Sequence, residues 1–317
     1  MRLTVLFVDF PDLVSDRTTA SMLSLISPES ESYFRAVSYG AMNLIYQPHN
    51  TWLRMSKSAS AYGWNALTYD LHRAYIQEAI NLAGSGVDYS KTDGIVVLSP
   101  PIASSPLTNG PALVAGAGAG VSAGGRVFAN AITSGRDVLG WGPYWANHEL
   151  GHNLGLQDLY ANTTPGHRYV GSFSLMGLIS GPAREFFAWE RWTLGWVGDS
   201  QVACFGSGTH QATLVPIERA GGTKLVAVPI TSTATVVAES RRVEGYDTSS
   251  VTPGILVYVV DTARPLQTGP IRVLPLNDND ERKLSAALTV GQSLSYEGVT
   301  VTFVGPDSEG DVVRVVK

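Results

Sequence analysis

Residues 148–158 read His-Glu-Leu-Gly-His-Asn-Leu-Gly-Leu-Gln-Asp. Side chains four apart lie on one face of an α-helix. A helix through this stretch therefore aims the imidazoles of His148 and His152 at one point, with Glu149 beside them on the solvent side. Were the helix to run on, Asp158 would lie about 240° around the axis from His152, facing away. Gly155 removes the difficulty. A glycine there can take φ > 0, end the helix and turn the chain so that Asp158 returns beneath the two rings.

Two imidazoles and one carboxylate form a ligand set for Zn²⁺ that leaves the fourth tetrahedral position open, as a catalytic site requires. In the H-E-x-x-H arrangement two histidines hold the ion, and the glutamate takes a proton from the water that the ion activates. His148, His152 and Asp158 are thus the expected metal ligands, and Glu149 the expected general base. His167 is the alternative third ligand. The same pattern ending in His defines the metzincins. Asp158 in that last place keeps the bond length and adds negative charge.

Composition excludes several other classes. With 317 residues the chain can bury a sizeable core, in two subdomains. Its net charge is −5 with only 15% charged residues and no run of Lys or Arg, so nucleic acid is not an expected partner. No stretch reaches the roughly 20 apolar residues of a membrane span. Cys204 is the only cysteine, which rules out an internal disulfide and a cysteine metal site. Met1-Arg2 runs straight into Leu3–Val8, a strand-like run rather than the apolar core of a signal peptide. A trimmed start, or a mature form with an added Met, is therefore expected.

Along the chain, Leu3–Val8 reads as a strand and Pro28–Val37 as a short helix, with Ser27 as N-cap and Gly40 as its stop. Met42–Tyr46 and Trp52–Met55 read as two strands. Tyr69–Ala83 has helical apolar spacing ended by Gly84, and Asp93–Ser99 reads as a buried strand. Helix followed by strand indicates a mixed α/β lobe. The Gly/Ala-rich stretch 110–125 lacks the flanking signals of a phosphate loop and reads as a mobile loop. Arg126–Thr133 reads as a strand, in the place where zincins lay an extended peptide on a sheet edge. Trp145 should pack in the core.

Residues 159–169 form a surface loop, and Met176, between apolar neighbours, is a candidate Met-turn beneath the metal. Arg184–Leu194 should be a helix with an aromatic face of Phe187, Trp189 and Trp192. Past Gly195-Trp-Val-Gly198 the texture changes to short strands, among them 223–229, 254–260, 292–296, 299–304 and 311–316. An all-β subdomain is expected there. Asn277–Glu281 offers oxygen donors to Ca²⁺ but lacks the glycine and distal glutamate of an EF-hand loop, so a solvated acidic loop is the plainer reading.

The chain resembles, nearly end to end, the immune inhibitor A family of secreted bacterial zinc metallopeptidases. The matching residues are Val8-Asp-Phe-Pro-Asp12, Val37-Ser-Tyr-Gly40, Val87–Asp93, His148–Tyr160, Gly171-Ser-Phe-Ser-Leu-Met176, Ala188–Trp196 and Gly245-Tyr-Asp247. The resemblance implies export, a precursor with an N-terminal propeptide, zinc dependence, broad endopeptidase action and often bound Ca²⁺. Two positions depart from it: Gln157 stands where proline is common, and Phe173 where tryptophan is. No tyrosine follows Met176, where many metzincins carry one to steady the oxyanion. Tyr169 is ranked first as its substitute, ahead of Tyr160 and His167.

The expected fold is α+β. A zincin-like (metzincin-like) catalytic domain over residues 1–197, with a mixed sheet and active-site helix, precedes a β-rich, sandwich-like subdomain over 198–317. The expected activity is hydrolysis of peptide bonds in protein or peptide substrates. A catalytically weak or inactive zincin-fold module that binds a glycan or a cell surface is the alternative.

Overall fold

The unbroken apolar run at Leu3–Val8 is the pattern of a strand covered on both faces. In the computed structural model, which describes residues 1–116, 118–277 and 279–317, it becomes an inner sheet strand buried from Leu3 to Asp9. Ala117 of the glycine-rich stretch and Asp278 of the acidic loop lie outside the described residues. The fold is α+β and largely β, with few helices. The chain divides into two compact units, residues 1–35 with 42–155 and residues 36–41 with 156–317. The second unit thus includes 156–197, which the sequence reading grouped with the residues before them.

The strands of the first unit are β1 (Arg2–Asp9), β2 (Ile45–Arg54), β3 (Gly94–Leu98), β4 (Ala112–Val114), β5 (Val121–Ala123), β6 (Arg126–Phe128) and β7 (Asn130–Thr133). Five of them form a sheet in the order β2-β1-β3-β7-β4. β2, β1, β3 and β7 run parallel, and β4 is antiparallel to β7. The helices are α1 (Thr19–Leu23), α2 (Glu29–Val37), α3 (Tyr69–Ala83), α4 (Val138–Trp141) and α5 (Pro143–Asn153). Thr68 caps α3, its Oγ1 accepting from Leu71 N at 3.3 Å. Tyr75, Ile76, Ala79 and Ile80 bury the α3 stripe in the same core as Leu6, Val8, Ile95, Val97 and Ala131. Each buried Ile, Leu or Val side chain among these contributes about 1.5–3 kcal/mol.

Three expectations for this unit need correction. The two strands read at 42–46 and 52–55 are one strand, β2, whose register against β1 shifts between Val5 and Phe7. Its Pro48 is tolerated because β2 lies at the sheet edge. The stretch 110–125, expected as a loop, carries β4 and β5. The run 126–133 is split: β6 pairs with β5 as a hairpin turned at Gly124-Gly125, while β7 is an inner strand of the main sheet. The edge beside the helix that carries the histidines is therefore β4 and not 126–133.

In the second unit α6 (Ala188–Thr193) precedes two sheets. Their strands are β8 (Val202–Cys204), β9 (Thr209–Leu214), β10 (Leu225–Pro229), β11 (Ala234–Arg241), β12 (Gly254–Asp261), β13 (Ile271–Val273), β14 (Ser293–Tyr296), β15 (Val299–Pro306) and β16 (Asp311–Val316). The sheets run β13-β12-β11-β10-β8 and β14-β15-β16-β9. Ile255, Val257 and Val259 of the first share one core with Val301, Phe303, Val313 and Val315 of the second, so the sheets face each other as a sandwich.

The helix expected at 184–194 is shorter, because the backbone of its first residues is satisfied elsewhere. Arg184 N donates to Tyr246 O (3.4 Å) and Glu185 N to Asp247 Oδ1 (3.1 Å). Among the described residues no helix is long and apolar enough to cross a membrane.

Candidate metal centre

Helix α5 starts at Gly142, whose φ of +50° turns the chain, with Pro143 in the first helical position, where its missing N–H costs nothing. Side-chain bonds hold the helix against its own unit. Trp145, fully buried as expected, donates from Nε1 to Gly110 O at 2.8 Å. Asn147 Oδ1 accepts a short hydrogen bond from Ser30 Oγ, which in turn accepts from the Tyr46 hydroxyl (3.0 Å). Near the other end, Asn153 Nδ2 donates to Leu113 O of β4 (3.1 Å), and Asn130 Nδ2 of β7 donates to Asn153 O (3.2 Å). The helix that carries both histidines is thereby tied to the edge strand and its neighbour.

The helix ends where the sequence says it should. Leu154 N still bonds back to Leu150 O (3.0 Å), and Gly155 then takes φ +100°, a conformation that side chains with a Cβ rarely adopt. The chain turns, and Leu159 N donates to Met176 O at 3.0 Å, pinning the residue after Asp158. One ligand atom from each of His148, His152 and Asp158 lies within 4.8 Å of the other two. The two imidazole rings stand nearly perpendicular, with centroids 4.9 Å apart. His148 and Glu149 are buried, whereas His152 and Asp158 are partly open.

Donors bonded to a tetrahedral zinc at about 2.0–2.2 Å stand roughly 3.3–3.6 Å from one another. A cluster within 4.8 Å is about an ångström wider than that spacing. Nitrogen, nitrogen and carboxylate oxygen are also the donor types that zinc takes. The residues present thus fit the ion.

Met176 is fully buried in a tight turn. Ser174 holds a left-handed φ of +65°; its Oγ accepts from Met176 N (3.2 Å) and donates to Glu190 Oε2 (2.7 Å). The same carboxyl oxygen accepts from Phe187 N at 2.9 Å. Burial pushes the Glu190 carboxyl up to about 7, against the opposing effect of these donors. Gly177 closes the turn: a Cβ there would lie 2.4 Å from Val170 Cγ2 and 2.7 Å from Phe173 O. The sequence points to a turn at Met176, and the chain does turn there, but it does not reveal the Ser174–Glu190 clamp. A polar residue amid the aromatics of 186–192 was its only local sign.

Two further predicted residues, His167 and Tyr169, make contacts of their own. His167 is not part of the cluster; its Nδ1 is 2.9 Å from Gly177 O, and its backbone N–H donates to Glu281 Oε1 (3.1 Å). Tyr169 lines a groove with Arg168, Arg264 and Arg272, whose walls include no member of the cluster. Its ring lies under the Arg168 guanidinium, 4.9 Å from Cζ. No protein-family model matches the sequence, and no curated protein matches it.

Proposed function

We propose that the chain is a secreted zinc-dependent endopeptidase with a zincin-like catalytic region, akin to the immune inhibitor A family that its sequence resembles. The observation that carries this reading is the convergence of His148, His152 and Asp158 at the end of the helix that also bears Glu149. His148, His152 and Asp158 would hold the ion. When bound, zinc supplies Lewis-acid polarisation of a scissile carbonyl and a lowered pKa for water.

Glu149 accepts the proton of the attacking water and returns it to the leaving amine. The outer edge of β4 has backbone groups with no strand beside them among the described residues, and an extended peptide can add there as a further strand. Asn153, bonded to Leu113 of β4, keeps that edge in register with the histidine helix. The Met176 turn fixes Leu159, and so the place of Asp158.

Hydrolysis of casein tests the proposal, with wild type, chelator-treated and zinc-restored protein compared against Glu149→Ala. Chelation should abolish cleavage and zinc restore it. The variant should lose about 10²–10⁴-fold in rate, the usual contribution of a general base. Cleavage by Glu149→Ala at the wild-type rate, or activity indifferent to chelation, would remove the peptidase reading.

A further inference from the structure

Three arginines line one groove of about 680 Å³ in the 156–317 unit: Arg168, Arg264 and Arg272, with Thr164 and Tyr169. In a chain of net charge −5 this is a local reversal of sign. The three guanidinium groups are engaged to different degrees. Arg168 is locked in place: Nη1 donates to Thr163 O (2.9 Å) and Pro165 O (3.0 Å), and Nη2 to Thr163 Oγ1 (2.8 Å) and the Tyr169 hydroxyl (3.2 Å). Arg264 Nη1 donates to Thr268 O (2.9 Å), and its Nε stands 3.5 Å from Asp261 Oδ2, a loose ion pair.

Arg272 is the exception. Its Nε is buried, and among the described residues no hydrogen bond or ion pair engages it. A buried donor left without an acceptor costs about 1–3 kcal/mol, more when charged. The Nη1 and Nη2 of Arg272 are not buried in this way and carry no hydrogen bond among the described residues, so they are the nitrogens open to an anion in the groove. The wall is close-fitting: a Cβ on Gly269 would meet Tyr169 Cδ1 at 2.8 Å and Arg272 Cγ at 3.0 Å. Val273 N donates to Tyr169 O at 2.8 Å, which holds the strand carrying Arg272 beside that ring.

We propose that this groove binds an acidic peptide segment, two or more of whose carboxylates pair with Arg272 and Arg264. The guanidinium fork matches a carboxylate with two parallel hydrogen bonds. The volume suits a ligand of several residues rather than a single ion. Leu276, 47% exposed, adds an apolar wall for aliphatic side chains, which a hydroxyl-covered sulfated sugar would not use. The inference does not depend on the metal centre.

The test is fluorescence anisotropy of a labelled peptide of alternating Glu and Leu on the full chain carrying Glu149→Gln, a background in which the proposed peptidase cannot consume the probe. Should the peptidase reading fail, that substitution is inert here and the binding result stands unchanged. Arg272→Ala and Arg272→Gln should each weaken binding at least about tenfold, and Arg272→Lys less, because lysine keeps the charge and loses the fork. Arg314→Ala, an exposed arginine on β16, should change nothing. Thermal melting of each variant separates lost binding from lost fold, and the Lys variant keeps the comparison if Ala and Gln fail to fold. The proposal is overturned by wild-type affinity in folded Arg272→Ala, by equal binding of a Lys/Leu peptide, by no binding at millimolar peptide, or by Arg272-dependent binding of a sulfated polysaccharide alone.

Discussion

Glu190→Gln should change how stability depends on pH. The Glu190 carboxyl is buried, accepts from Ser174 Oγ and Phe187 N, and through Ser174 holds the Met176 turn. Burial raises it from an ordinary 4.5 to about 7, so the folded state binds the proton more tightly than the unfolded chain does. The stabilisation is complete below pH 4.5 and is lost as pH rises through 7. At about 1.4 kcal/mol per pH unit the whole effect is about 3 kcal/mol, most of which falls between pH 5 and pH 8. Glutamine keeps the acceptor oxygen and does not titrate. Urea unfolding of both proteins across that range should therefore show wild type losing about 2–3 kcal/mol relative to the variant, a relative midpoint shift of roughly 1 M at a typical slope. A stability difference that stays constant with pH would refute the reasoning.

Three further substitutions probe the scaffold. Gly177→Ala puts a methyl group 2.4 Å from Val170 Cγ2 and should cost about 1–3 kcal/mol in urea unfolding. Gly155→Ala meets no atom within 4 Å, so its cost is the φ of +100° alone, about 1–2 kcal/mol; a zinc titration should show weakened affinity as well, because the turn sets Asp158. Trp145→Phe keeps most of the ring volume but leaves Gly110 O without its donor, and urea unfolding should show a loss of about 1–3 kcal/mol.

Much of this was legible in the sequence because the signals are local. Tyr69–Ala83 carries its apolar stripe and its Gly84 stop within one window, and α3 occupies those residues. The α5 break at Gly155 and the return of Asp158 follow from helical geometry and the freedom of one glycine. β4 was not legible: three residues in a glycine-rich stretch show no period, and their pairing is set by β7. Nor was the split of 126–133, where residues continuous in sequence serve two sheets. The Ser174–Glu190 clamp joins residues 16 apart, and the groove gathers Arg168, Arg264 and Arg272 from distant segments. Such contacts arise only once the chain has folded.

The central claim is that His148, His152 and Asp158 together bind one metal ion. Calorimetric titration of zinc into chelator-stripped protein tests it directly. Wild type, Glu149→Ala and His167→Ala should each take up one zinc per chain with similar affinity, while Asp158→Ala should bind at least about tenfold more weakly. Undiminished zinc affinity in Asp158→Ala, or its loss in His167→Ala, would contradict the claim.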